Sequence, residues 1–117
     1  MQILIKQKNG INNFLIKIDD EYILFNDQRI IKSHCYQEGF NEITLNDKEI
    51  ISEMLDTLLK NIKKLHISYL EIADKEFKDL YETKINFYES KTKQLIKEFH
   101  IKESKKYSNV FKYILKS

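Results

Sequence analysis

An α+β fold is predicted for this chain: an N-terminal antiparallel β-meander of three or four strands packed on a C-terminal region of two or three helices. Three observations predict it. Up to Asn46 the apolar residues come in short runs with period two, separated by turn residues. From Asp47 the period switches to three and four. At the very start, Asn9-Gly10 stands between two β-rich runs, and this dipeptide most readily takes the two positive φ values of a type I′ hairpin turn.

In chain order, the expected strands are residues 3–8 and 12–18, flanking that turn. In the second, Phe14, Ile16 and Ile18 alternate with Leu15 and Lys17, which puts one clearly apolar face on the strand. Asp19-Asp20-Glu21 interrupts, and residues 22–25 resume. Asn26-Asp27-Gln28 reads as another turn before residues 29–36. Gly39 breaks the pattern again, and Ile43-Thr44-Leu45 reads as a short last strand. A lone hairpin is marginal in water, so the sheet requires helices against one face.

Residues 47–65 carry the strongest helical signal. Ile51, Leu55, Leu58, Ile62 and Leu65 recur at steps of four and three, widened by Ile50, Met54 and Leu59. Asn46 with Glu49 has the spacing of a capping box. The chain is then expected to turn through His66 and Ile67, with Ser68 and Glu71 repeating that spacing to open a second helix. Its stripe runs Leu70, Ala73, Phe77, Tyr81, Ile85, Tyr88, Thr92, Leu95, Phe99 without a change of phase. Unbroken, it would be about 50 Å long, against about 30 Å for the width of a domain this size. Either it breaks near 90–92, or it projects and pairs with another chain. Residues 109–116 fit helix, capped by Ser108, and also fit a strand.

With 117 residues the chain is expected to form a single domain, 1–46 the meander and 47–117 the helical part. No apolar run reaches the ~20 residues of a membrane span. No secretory signal is visible, and a single cysteine, Cys35, suits a reducing cytoplasm, the expected location. Ile, Lys and Asn number 18, 19 and 9, while Arg occurs once and Pro and Trp never. That usage follows AT-rich codons and points to a low-GC source, such as a bacterium or its phages. It also explains the lysines without a selected role.

The charge is uneven. Residues 1–46 carry five bases and six acids, residues 47–82 six and nine, and residues 83–117 nine and three, giving −1, −3 and +6. The positive third interleaves lysines with aromatics, which suits phosphates or an acidic protein surface. The bidentate fork that reads guanine is a property of arginine, and the one arginine, Arg29, lies in the meander.

Ordinary catalytic chemistry finds little support. His34 and Cys35 are adjacent and would point to opposite faces of a strand; with His66 and His100 they match no metal-ligand spacing. Cys35 lacks the setting that lowers a thiol pKa. Asp19, Asp20, Glu21 and Asp27 read as turn residues, and the Glu-x-Lys spacings, such as Glu82-Thr83-Lys84, fall outside the strands. Two glycines are too few for a phosphate-cradling loop. No catalytic, cofactor or metal residue is assigned.

The expected function is therefore a small non-enzymatic protein-interaction module, of the kind by which a phage or other mobile element inhibits a bacterial host system such as a CRISPR-type nucleic-acid-targeting defence complex. That is an analogy of type. Its partner would be a host protein or nucleoprotein complex, with no membrane involved. The alternative is a nucleic-acid-binding protein using the Lys-rich C-terminal third. The candidate partner-binding residues are Tyr81, Tyr88, Lys91, Lys93, Lys97, Phe99, Lys102 and Lys105. A homodimer through residues 81–99 is the expected assembly, because an uncovered apolar stripe marks an interface.

Overall fold

The computed structural model describes residues 2–33, 39–44 and 46–98. The chain is α+β, with five strands followed by two helices among the described residues, and it divides into two compact units, residues 1–61 and 62–117.

In the first unit, Asn9 and Gly10 take φ values of 54° and 75°, as the expected type I′ turn requires. They join β1 (Gln2–Lys8) to β2 (Ile11–Ile18) with Lys8 opposite Ile11. Asp19, at φ 55°, turns the chain into β3 (Glu21–Phe25). The Asn26 side chain then builds the next turn by accepting the N–H groups of Gln28 and Arg29 at 2.9 and 3.2 Å. That turn leads into β4 (Ile30–Ser33). These four strands form the expected meander.

The fifth strand was not in the expected place. β5 is Asn41–Glu42, directly before Ile43, and it pairs with β1 at Leu4 and Ile5. The sheet order is β4-β3-β2-β1-β5, so the connection from β4 crosses to the opposite edge. Gly39 makes the return possible. Its φ is +89°, and a Cβ there would meet the Lys6 side chain at 3.2–3.3 Å.

The register places Ile3, Phe14, Ile16, Ile23 and Phe25 on one face, all buried. Phe14 stacks on Phe25 with ring centroids 5.4 Å apart. Helix α1 (Lys48–Glu71) contributes Ile51, Met54, Leu55, Leu58 and Leu59 to the buried set of this unit. It is pinned on the same side by Asn12 Nδ2 donating to Glu53 Oε1 at 2.8 Å. The opposite face is apolar too: Leu4, Leu15 and Phe40 form a buried cluster with Tyr22 and Leu24 against it. The second face thus carries a small buried cluster of its own, with Ile31 beyond it exposed, where period-two alternation suggested one apolar face.

Asp47, rather than Asn46, stands at the start of α1. Its carbonyl accepts the Ile51 N–H at 2.9 Å, and its N–H donates to Thr44 O at 3.1 Å. Further along, buried Asn61 donates to Asn26 O at 2.6 Å and to Thr57 O at 2.9 Å. Asn61→Ala removes both donors and leaves the Asn26 turn carbonyl without this partner. The expected loss is about 1–3 kcal/mol in urea unfolding; a change below about 0.5 kcal/mol would show that water replaces the amide at no cost.

Helix α1 continues through His66, Ile67 and Ser68 to Glu71, so no turn opens at 66–67 and Ser68 caps nothing. The break comes at residues 72–74, where Asp74 Oδ1 accepts the N–H groups of Glu76 and Phe77 at 2.9 and 3.3 Å. Helix α2 (Lys75–Glu98) then runs without interruption through residues 90–92. The single stripe read from the sequence therefore belongs to two helices, each about 36 Å long at 1.5 Å per residue. In this second unit Ile62, His66, Ile85, Tyr88, Thr92 and Leu95 are buried. Residues 109–116 lie outside the described residues.

Candidate functional site

Of the tentative partner-binding residues, Tyr81, Tyr88, Lys91, Lys93 and Lys97 are among the described residues, all on α2. Tyr88 is buried, and Ile85, Thr92 and Leu95 around it in the stripe are buried as well. Their phase along α2 makes them its inward face, and Thr92 Oγ1 folds back to donate to Tyr88 O at 2.7 Å. Tyr81 is half-buried, with Lys84 Nζ 5.7 Å from its ring centroid. The stripe members Ile85, Tyr88, Thr92 and Leu95 are therefore covered, with Tyr81 half-covered before them. Phe99, Lys102 and Lys105 lie outside the described residues, as do His34, Cys35 and His100.

The lysines of α2 also part company. At 100° per residue, Lys91 and Lys93 point about 200° apart around the helix, while Lys93 and Lys97 are about 40° apart. Lys93 pairs with Glu89 at 2.9 Å, and Lys91 sits 5.7 Å over the Phe87 ring. The lysines of 84–97 thus occupy two sides of α2, which a single phosphate-tracking face would not do.

The apolar surface lies elsewhere, at the end where the two helices join. Among the described residues, the exposed large apolar side chains on these helices are Ile67 (43%), Leu70 (54%), Phe77 (61%) and Leu80 (60%). Ile67 and Leu70 are neighbours at i,i+3 near the end of α1, and Phe77 and Leu80 repeat that spacing near the start of α2. The short connection at 72–74 keeps both pairs close to one end of the unit. Phe77 and Leu70 belong to the stripe read from the sequence, but that stripe made no distinction between its covered and uncovered members. Ile67 was read as a turn residue and Leu80 was outside the stripe.

Other chemistry is sparse. Among the described residues no group of three or more His, Cys, Asp or Glu is placed to hold a metal ion. His66 is buried and stacks on Tyr69, with ring centroids 6.1 Å apart. A cleft of about 170 Å³ lies in the first unit between Gly10, Asn12, Phe14, Asp27, Glu53 and Thr57. Its Glu53 is engaged by the Asn12 amide. No described helix is long and apolar enough to cross a membrane.

No protein-family model, no curated protein and no solved structure matches this chain significantly.

Proposed function

We propose that this chain is a small non-enzymatic protein-interaction module that engages its partner through the joined end of α1 and α2. The observation that carries the reading is the exposure of Ile67, Leu70, Phe77 and Leu80 within one short segment. Single exposed apolar residues are ordinary, but grouped ones cost free energy in water and mark contact surfaces. A partner that covers them gains the burial of large side chains, the usual source of affinity at the centre of an interface. Residue usage suggests a low-GC source, and by analogy of type the partner is a bacterial host protein or nucleoprotein complex inhibited by a mobile-element product. Direct nucleic-acid binding is the less favoured reading, because the α2 lysines diverge around the helix.

The test compares the wild-type chain with a Phe77→Ser/Leu80→Ser variant in pull-downs from the native host, followed by affinity measurement against the co-eluting protein. The variant is expected to bind at least about tenfold more weakly, with its thermal midpoint unchanged. Equal capture by both would end this reading. Sub-micromolar binding to random oligonucleotides at physiological salt, lost when Lys91, Lys93, Lys97, Lys102 and Lys105 become Ala, would favour nucleic acid instead.

A further inference from the structure

We infer that Asn9 is a site of spontaneous covalent modification: attack by the Gly10 main-chain nitrogen on its side-chain amide converts the β1–β2 turn to isoaspartate and unseats the hairpin. The inference concerns the first unit and is independent of the contact surface in the second.

The reaction balances with water as its only co-reactant. The Gly10 nitrogen bonds to Asn9 Cγ, its proton leaves with the side-chain nitrogen as ammonia, and a succinimide ring closes. Water then opens the ring at either carbonyl. Cleavage beside the side-chain carbonyl leaves aspartate at residue 9. Cleavage beside the main-chain carbonyl leaves isoaspartate, whose main chain runs through Cβ and Cγ and is one methylene longer.

Three observations put this chemistry at residue 9. Asn9 is the one asparagine of the chain followed by glycine, and a following Cβ is what ordinarily crowds the attacking nitrogen. No other part of the chain lies within 4 Å of the place a Cβ would take on Gly10. Asn9 and Gly10 are both exposed, so water reaches the ring once it forms. The pair that closes the ladder is Lys8 and Ile11, which leaves the Gly10 nitrogen outside the strand pairing. By contrast, the amides of Asn12, Asn13, Asn26 and Asn61 are tied into hydrogen bonds.

The fold sets both the pace and the consequence. With Asn9 at φ 54° and Gly10 at 75°, a type I′ turn holds the Asn9 ψ near about 30°. Ring closure requires the Gly10 nitrogen to swing away from that setting and onto the side chain. The step therefore waits for the turn to open, and loop tips open at little cost. A two-residue turn has no slack for an added methylene, so isoaspartate breaks the closing pair first. The same register faces Leu4 with Leu15 and Ile5 with Phe14, and its loss reaches both sides of the sheet. Aspartate keeps the main chain at its native length and is accepted in the left-handed region, so the new charge alone changes little.

The experiment ages the full chain in mildly alkaline buffer, folded and in parallel in concentrated urea, and follows it by intact mass and peptide mapping. The first deamidation is expected at residue 9 in both samples, more slowly in the folded one. It is expected to vanish in Asn9→Gln, where the ring would be larger and slower to close, and in Asn9→Asp, which keeps the turn. Labelling by a protein isoaspartyl methyltransferase identifies the isoaspartyl fraction, which is expected to unfold at a lower urea midpoint than the unaged chain. Asn9→Asp is expected to keep the unaged midpoint.

A first mass gain at another asparagine, or one that persists in Asn9→Asp, would overturn the assignment. So would a folded chain that gains no mass while the chain in urea converts fully, since the native turn would then not open. Equal urea midpoints for the isoaspartyl and unaged chains would overturn the effect on the hairpin.

Discussion

Replacing Phe14 by Ala is expected to destabilise the protein by about 3–5 kcal/mol, the cost of emptying a large aromatic site in a packed core. Phe14 is 1% exposed. It sits on β2, between its cross-strand partners Ile5 on β1 and Phe25 on β3, and its ring stacks on that of Phe25. The neighbours that would have to collapse into the space are strands held in register on both sides, so little of the cavity can close. A domain of this size has only about 5–15 kcal/mol in total, so the variant should unfold at a much lower urea concentration. A loss below about 1 kcal/mol would show that the sheet relaxes around the gap and that Phe14 is not central to packing.

The second large effect is a contrast within one helix. Leu95→Ala is expected to cost about 2–5 kcal/mol, because Leu95 is fully buried. Phe77→Ala, which removes a larger side chain from the same sequence stripe, is expected to change stability by no more than about 0.5 kcal/mol, since that ring stands mostly in water. Thermal unfolding of the two variants side by side checks the pair. Similar losses for both would mean that Phe77 is covered in solution, and the proposed contact surface would lose its main residue.

Both predictions turn on information that periodicity lacks. A three-and-four repeat says which residues share a side of a helix, but not how far along that side the rest of the chain reaches. Leu95, Tyr88 and Phe77 are equivalent members of the repeat, and only packing separates the first two from the third. Tyr88 was named as a contact residue from the repeat and its aromatic ring, whereas Phe77 is identified by its exposure. Tyrosine has an amphipathic character suited to interfaces, but that character equally suits the edge of a core. The lysines suffer from the opposite confusion. Counted along the chain they form a positive third, but around α2 they diverge, because neighbours two apart fall on opposite sides.

The local elements were written in the sequence. Asn9-Gly10 specified a tight hairpin through the backbone freedom of those two residues, and alternation after it specified strands. The change of period at residues 46–47 specified where helix begins, to within one residue of its capping Asp47. Together these define the α+β class. Tertiary structure decided three further matters. Leu15, read as facing away from the core, is buried because Gly39 returns Phe40 to β1 and an apolar cluster forms on the second face. β5 lies at the far edge of the sheet, which depends on where β1 offers free backbone groups rather than on the composition of Asn41-Glu42. The helix break falls at Asp74, although Ser68 had the same capping chemistry. Without glycine or proline near either position, the local preferences are nearly equal, and continuing α1 through residue 66 keeps His66 buried. A cap is worth about 1 kcal/mol wherever it forms, so the choice between two caps falls to the larger free energy of the packing around them.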